Sequence, residues 1–270
     1  MAPHRTAPHR TSYVAFETRA DPPLTVAGKL RLPAAEAPVA AVLICHGSDG
    51  VDGRGEFYAP ALNAAGFATL EIDMWAARGS ARGAAARPGS PIATLPDAFA
   101  ALAFLRAQPE VDPDRIGIMG FSWGGVVTLL SAAGRFADKY GHGAPGFAAH
   151  AAHYPVCWAF LNNPAFALDD LTGSPILLQT GEADAYDTPG AGERLAGRLR
   201  EAGGAEIEAF SYAGAGHGFD RDLPAQTIND PFAHEGAGGP VLMAFDPAAA
   251  TAARDRLVAF FTRTLAKGRL

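Results

Sequence analysis

Six apolar runs alternate with helical segments along most of this chain, and this alternation limits the fold more than any other feature. The runs are residues 40–45, 67–72, 115–121, 148–154, 175–179 and 206–212. Strands that are buried on both faces are apolar in this way, and parallel strands need long crossover connections. The pattern therefore predicts an α/β fold, with a mostly parallel central sheet and helices on both faces.

Two β-rich segments, residues 13–18 and 25–32, precede the alternation. We expect them to form a hairpin-like pair, which brings the central sheet to about eight strands. Near the N-terminus the unit Ala-Pro-His-Arg-Thr occurs twice, and this composition predicts a flexible tail over residues 1–12. The rest of the 270 residues, 13–270, is predicted to form a single domain.

Local sequence signals predict three of the helices. The second begins at Thr188-Pro189 and the last opens at Asp246-Pro247, after the strands, whereas the first, over residues 94–108, is predicted from its apolar face and from Pro109, which ends it. Residues 74–91 and 213–245 have little periodicity. Long irregular stretches of this kind are often functional, and both follow strand ends on the side where such sheets bind ligands.

Composition excludes several classes of function. With 49% apolar and 19% charged residues, the chain is expected to be a globular protein that does not span a membrane. A net charge of −6 argues against a nucleic-acid partner. The two cysteines do not indicate a disulfide framework, and the N-terminus lacks the apolar core of a secretory signal. We therefore expect a cytoplasmic protein.

Residues 120–124, Gly-Phe-Ser-Trp-Gly, match the G-x-S-x-G pattern of a nucleophile elbow. An apolar strand run precedes the motif and a helical run follows it, which is the context that an elbow requires. The two glycines leave room where the strand and the helix come close together. The motif predicts that Ser122 is a nucleophile in an α/β-hydrolase fold.

A serine hydroxyl needs a base to remove its proton during attack. His217 is the leading candidate, because it follows the last strand run in a glycine-rich turn. In this fold the triad acid lies between the serine and the histidine in the chain, and Asp184 fits that order. Asp187 remains open as a rival acid, although a place near a helix start would also explain it, and Asp220 is a weaker rival because it follows the histidine.

An oxyanion hole needs two N–H donors directed at the developing charge. The residue after the nucleophile, Trp123, supplies one donor, and the loop after the third strand, Gly47-Ser48, is expected to supply the other. His46, His150 and His153 have no cysteine or carboxylate at a convincing metal spacing. We expect neither a metal ion nor a cofactor.

With these motifs assembled, the chain resembles the dienelactone hydrolase family of α/β-hydrolases from about residue 42 to residue 261. The resemblance rests on residues 46–48, 120–125, 154–157, 181–184 and 216–220. It favours Ser48 as the second oxyanion donor. It also implies a member with a serine nucleophile, since the namesake enzymes have cysteine at the position of Ser122 and glutamate at the position of Gly47.

The same resemblance directs attention to substrate-binding residues. Arg78 resembles one of the arginines that hold the carboxylate of the lactone in the namesake enzymes. Arg82 and Arg87 lie in the same loop and are further candidates for an anionic substrate. Trp75, Trp123, Trp158 and Phe160 are candidates for an aromatic pocket, although aromatic residues are as often part of a core.

These observations predict a serine hydrolase that cleaves a carboxylic ester or lactone through an acyl-enzyme. Two alternatives stay open: action on a thioester, amide or carbon–carbon bond, and a binding protein that keeps the fold without turnover. The expected partner is a small-molecule ester or lactone, and a homodimer is left open as the assembly.

Overall fold

The computed structural model describes residues 9–79 and 87–266. Within these residues, eight strands form one sheet in the order β1-β2-β4-β3-β5-β6-β7-β8. The strands are β1 (His9–Glu17), β2 (Thr25–Pro33), β3 (Val39–Cys45), β4 (Ala68–Asp73), β5 (Val111–Phe121), β6 (Ala149–His153), β7 (Ile176–Gly181) and β8 (Ile207–Tyr212). β2 pairs antiparallel with β1 and β4, and the other neighbours are parallel. The predicted mostly parallel sheet is confirmed.

Seven α-helices cover the sheet within the described ranges. They are α1 (Gly53–Ala64), α2 (Leu95–Arg106), α3 (Trp123–Leu130), α4 (Gly134–Gly141), α5 (Cys157–Asn162), α6 (Ala191–Ala202) and α7 (Pro247–Thr264). Alternate residues of β3 divide between two cores, because successive side chains of a strand point to opposite faces. Leu43 belongs to the core cluster that includes residues of α2, α3 and α6, whereas Val42 and Ile44 belong to the cluster that includes residues of α1 and α7. Helices therefore lie on both faces, as predicted.

The start of the first strand differs from the prediction. Residues 9–12, predicted as part of the flexible tail, lie in β1, where His9 pairs with Pro33 of β2. Backbone hydrogen bonds along an antiparallel pair depend little on side-chain type, so the strand extends into a segment whose composition indicated a tail. The first eight residues of that tail lie outside the described residues.

The helix predicted to begin at Thr188-Pro189 begins at Ala191 instead, after Gly190 in a left-handed conformation with φ 75°. Thr188 Oγ1 donates to Glu235 rather than capping the helix. The last helix begins as predicted, with the Asp246 side chain accepting hydrogen bonds from the N–H groups of Ala248 and Ala249.

The stretch at residues 213–245 contains a small two-stranded hairpin that the sequence did not indicate. Its strands are β9 (Gln226–Asp230) and β10 (Gly239–Met243), paired antiparallel and separate from the main sheet. These strands have five residues each, too few for a clear alternation pattern. No helix in the described part of the chain is long and apolar enough to cross a membrane.

Candidate active site

Ser122 lies at the turn between β5 and α3 with φ 51° and ψ −109°. Such a backbone conformation is rare for a residue with a side chain, and surrounding structure must hold it in place. A Cβ on Gly120 would come 2.2 Å from the carbonyl oxygen of Gly124, and one on Gly124 would come 2.2 Å from that of Cys45. The flanking glycines therefore allow the close strand–helix contact that the motif predicted.

His217 lies between Ser122 and Asp184. Its Nε2 is 2.8 Å from the Ser122 Oγ, and its Nδ1 is 2.8 Å from an Asp184 carboxylate oxygen. The histidine and the aspartate are buried, while Ser122 is half-buried. A proton on Nδ1, held by the carboxylate, leaves Nε2 free to accept the serine proton.

The loops that carry the acid and the histidine lie side by side at the carboxyl end of the sheet. The N–H of Ala183 donates to the carbonyl oxygen of Ala215 at 2.9 Å. The second carboxylate oxygen of Asp184 accepts a hydrogen bond of 2.9 Å from the N–H of Tyr186. These bonds orient the carboxylate towards the imidazole.

The rival acids have other partners. Asp187 accepts hydrogen bonds from the N–H groups of Cys157 and Trp158, at 2.9 and 2.7 Å, and so caps the start of α5. Burial, followed by the nearby Asp184 charge, raises the pKa of Asp187 to about 6. The weaker rival Asp220 accepts a 2.7 Å hydrogen bond from the Tyr58 hydroxyl behind the site. The geometry therefore brings Asp184, and neither rival, to His217.

Two tyrosine rings pack against the imidazole of His217. The Tyr186 ring centroid is 4.1 Å from the imidazole centroid, and the Tyr154 centroid is 4.9 Å away. The Tyr154 hydroxyl donates to the buried Asp220 carboxylate and accepts a 3.2 Å hydrogen bond from Arg54. These ring contacts limit rotation of the imidazole that must exchange protons with Ser122.

The loop that carries Ser48 follows β3 and lies next to the elbow. The Trp75 indole N–H donates to the Ser48 carbonyl oxygen at 2.9 Å, and Arg87 donates to the Ser48 Oγ at 2.5 Å. His46 accepts the Met74 N–H through Nε2 at 2.9 Å, and burial lowers its pKa to about 4. His46 thus has a structural role, because it holds the backbone that follows β4.

The other predicted oxyanion donor is the N–H of Trp123. This residue is the first of α3, and the first N–H groups of a helix have no partner within the helix. The Trp123 indole is fixed by a 3.0 Å hydrogen bond to Thr94 and packs edge-on against Trp75. Ser48 and Trp123 therefore both lie beside Ser122, and all three line the same cavity.

Two cavities meet at Ser122, and both are also lined by Ser48 and Tyr186. One has a volume of about 280 Å³ and largely apolar walls. Its apolar lining includes Ile92, Val126, Trp158, Phe166 and Phe232. The other has a volume of about 240 Å³, contains His217, and is lined by several charged residues, among them Arg54, Arg221 and Asp230.

The substrate-binding predictions have mixed outcomes. Trp158 lines the apolar cavity, whereas Phe160 belongs to the core. Trp75 is buried behind the Ser48 loop and lines neither cavity, so its indole supports the loop instead of contacting a ligand. Large aromatic residues bury readily, and sequence position alone does not separate these roles.

Arg78 lies outside both cavities, contrary to the prediction. Its guanidinium donates to both carboxylate oxygens of the buried Asp97, at 2.6 and 3.1 Å, and to two backbone carbonyl oxygens. The buried carboxylate needs a cationic partner, and this explains the position of the arginine. Arg82 lies outside the described residues. Arg87 does line the apolar cavity.

Tyr186, Asp230 and Phe232 were not recognised as site residues from the sequence. Tyr186 comes two residues after Asp184, and that closeness is the signal that could have identified it. Asp230 and Phe232 belong to the aperiodic stretch at 213–245, where the pattern carries no information on contacts. Among the described residues, no group of three or more His, Cys, Asp or Glu side chains is arranged to hold a metal ion.

The sequence profile of the dienelactone hydrolase family matches residues 26–265 of this chain. A dienelactone hydrolase-like promiscuous phosphotriesterase from metagenomic libraries has a similar structure, with a TM-score of 0.68, 21% identity, and coverage of 94% of this chain and 98% of that chain. EstE1, a thermostable carboxylesterase cloned from a metagenomic library, gives a TM-score of 0.66 and 18% identity, over 96% of this chain and 90% of that chain.

A dienelactone hydrolase from Anabaena variabilis gives a TM-score of 0.59 at 18% identity, over 95% of this chain and 98% of that chain. Likeness at such identities shows a shared fold, and the predicted α/β-hydrolase fold is thereby confirmed. No curated protein matches this chain in sequence.

Proposed function

The chain belongs to the dienelactone hydrolase family, and on that basis we propose that it is a serine hydrolase that cleaves a carboxylic ester or a lactone. The observation that carries the proposal is the continuous hydrogen-bonded path from Ser122 through His217 to Asp184, with 2.8 Å at both steps. A nucleophile, a base in contact with it and an acid that orients the base are the parts that acyl transfer needs.

In the first half-reaction, the Ser122 Oγ attacks the carbonyl carbon while His217 Nε2 takes the hydroxyl proton. The carbonyl oxygen gains the negative charge and is stabilised by the N–H groups of Ser48 and Trp123. The Asp184 carboxylate stabilises the imidazolium that forms. The tetrahedral intermediate then breaks its carbon–oxygen bond, the leaving alcohol takes the proton from His217, and an acyl-Ser122 ester remains.

In the second half-reaction, a water molecule gives a proton to His217 and attacks the acyl carbon. The intermediate collapses, Ser122 recovers its proton from His217, and the carboxylic acid leaves. With a lactone, the alcohol and the acid remain joined in one product. Ser122, His217 and Asp184 return to their starting protonation states, so the cycle consumes only the substrate and one water molecule.

The two cavities support an assignment of the substrate's two ends. The apolar cavity of about 280 Å³ lies at the lower limit of ordinary ligand pockets and suits a small acyl group. The second cavity contains His217, the group that must protonate the leaving oxygen, and its polar walls suit an alcohol or hydroxyl group.

The test combines active-site labelling with turnover. Wild-type protein should hydrolyse p-nitrophenyl acetate, and a fluorophosphonate probe should label Ser122. Ser122→Ala should abolish both signals, while Ser174→Ala serves as the matched control because Ser174 bonds to Phe147 at the opposite end of the sheet. Full turnover by Ser122→Ala would overturn the proposal.

The same preparation separates the rival functions. Ester, thioester and amide substrates with one shared acyl group are compared side by side. If kcat/KM is highest for the thioester or the amide, that bond replaces the ester as the proposed site of cleavage. Failure of the wild-type protein both to label and to turn over any of the three would favour a binding protein that retains the fold.

A further inference from the structure

The β9–β10 hairpin contacts the loop that holds the predicted oxyanion donor. Arg87 lies between the two, with its guanidinium 2.5 Å from the Ser48 Oγ and 3.3 Å from an Asp230 carboxylate oxygen. The side chains of Arg87 and Asp230 are only 8% and 6% exposed. The guanidinium also stacks over the Phe232 ring at 4.4 Å from its centroid. The cation is therefore held by the hairpin on one side and holds Ser48 on the other.

The same hairpin contacts the other half of the site. The N–H groups of His234 and Glu235 donate to the carbonyl oxygens of Ala185 and Tyr186, at 2.8 and 3.1 Å. The Tyr186 ring in turn packs on the His217 imidazole. Burial raises the pKa of the Tyr186 hydroxyl, and the nearby Asp230 charge raises that pKa further. The hairpin thus reaches the Ser48 loop through Arg87 and contacts Tyr186 through its backbone.

Asp230 itself is fixed in the hairpin. The carboxylate oxygen that faces Arg87 also accepts the Phe232 N–H at 2.8 Å. A buried carboxylate is costly unless it is paired, so its position ties the end of β9 to Arg87. Neither Arg87 nor Asp230 is needed to complete the path from Ser122 to Asp184, and their burial at the oxyanion loop calls for another explanation.

We propose that Asp230 is a positioning residue, which acts through Arg87 on the Ser48 loop. This inference rests on the proposed function. Hydrogen-bond donors stabilise an oxyanion only when they already point at it, since reorganisation during the reaction cancels their advantage. Asp230 orients Arg87, and Arg87 restrains the Ser48 side chain from the hairpin side while Trp75 restrains its carbonyl group. Docking of the hairpin therefore completes the site.

The first test replaces the carboxylate. Asp230→Ala should lower kcat for p-nitrophenyl acetate by about 10- to 100-fold, somewhat less than the loss of an oxyanion donor itself, with KM changed less than about threefold. Asp230→Asn keeps an acceptor oxygen and should fall between Ala and wild type. Asp222→Ala is the matched control, because Asp222 is an exposed carboxylate in the same stretch of chain. It should retain wild-type kcat.

A second variant keeps the proposal testable if Asp230→Ala does not fold. Arg87→Gln removes the cation that links Asp230 to Ser48, while Arg87→Lys keeps the charge but cannot bond to both partners in the same planar geometry. We expect kcat to be highest with the wild-type arginine, lower for Arg87→Lys and lowest for Arg87→Gln. In the double variant Arg87→Gln/Asp230→Asn, the losses should be smaller than the product of the single losses, because both changes break one linkage.

Fluorophosphonate labelling separates positioning from stability. The labelling rate of Ser122 should fall in parallel with kcat, measured well below the unfolding temperature of each variant. Wild-type kcat and labelling rate in a folded Asp230→Ala protein with a lowered Tm would overturn the inference, since the residue would then serve stability alone. A loss of kcat in the double variant equal to the product of the two single losses would also overturn the linkage. A wild-type protein that neither labels nor turns over would instead overturn the proposed function.

Discussion

Arg78→Ala tests whether this arginine serves the fold or the substrate. Its guanidinium makes two charge-assisted hydrogen bonds to Asp97, whose side chain is 1% exposed, and it is itself 14% exposed. It also donates to the carbonyl oxygens of Met74 and Ala93. The alanine variant would leave the Asp97 carboxylate buried without its cation and two carbonyl groups without a donor.

The expected loss of stability follows from this geometry. Removal of one partner from a buried ion pair costs about 3–5 kcal/mol, because the remaining charge stays desolvated. The partial exposure of Arg78 lets water reach part of the space that it vacates, so we expect about 3 kcal/mol. For a chain of this size that corresponds to a fall in Tm of roughly 6–12 °C.

The loss should depend on pH. Burial raises the pKa of Asp97, and Arg78 opposes that rise. Without the arginine the folded protein holds the Asp97 proton to higher pH than the unfolded chain does. Stability is then lost as pH rises through that interval, so the destabilisation should be large at pH 8 and smaller at pH 5. The Arg78→Ala/Asp97→Asn variant should recover part of the Tm and lose the pH dependence.

Thermal unfolding followed by circular dichroism at pH 5 and pH 8 measures these effects, and ester hydrolysis at 25 °C measures function. The folded Arg78→Ala protein should keep wild-type KM for a neutral and for an anionic ester. An unchanged Tm together with a KM raised about tenfold for the anionic ester alone would refute the structural role and restore the prediction that Arg78 binds substrate.

Three further changes probe the elbow and the loops around it. Trp75→Phe removes the hydrogen bond to the Ser48 carbonyl oxygen and should lower kcat about 3- to 10-fold with little change in KM, as steady-state ester hydrolysis would show. Gly124→Ala would place a Cβ 2.2 Å from the Cys45 carbonyl oxygen and should prevent stable folding, measured by soluble yield and circular dichroism; a melt like that of wild type would contradict the elbow packing. Asp187→Asn tests a carboxyl whose folded pKa is raised to about 6 from an ordinary 3.8. The charged form is the less stable one in the folded protein, so this group should lower wild-type stability as pH rises from about 4 to 6, and Tm values should show a flatter profile for the asparagine variant.

Much of the architecture could be predicted because it depends on local pattern. All eight predicted strand positions correspond to strands of the main sheet, with end points that differ by up to about four residues. Helix α1 was not identified, because Gly53, Gly55 and Pro60 hide its pattern. A Cβ on Gly55 would overlap the Glu71 carboxylate, so the contact with β4 requires a residue that local helix propensity disfavours.

The candidate site was predictable to the extent that its residues sit at strand ends. Ser122, Asp184 and His217 each follow a strand, and parallel strands bring their carboxyl ends to one edge of a sheet. The substrate-binding predictions had no such basis. Arg78 and Arg87 belong to one irregular loop, and which of them faces the cavity depends on where the buried Asp97 lies.

The sequence by itself determined the positions of the eight strands of the main sheet, the elbow at Ser122, and the chain order of nucleophile, acid and histidine. The periodicity of the apolar residues and the spacing of the motifs encode these features within short stretches of the chain. Only the tertiary structure decided that Arg78 pairs with Asp97, that Trp75 supports the Ser48 loop, and that the β9–β10 hairpin meets both sides of the site. Those contacts join segments far apart in the chain, and a buried charge or ring takes the partner that the packed fold brings to it, which no local pattern records.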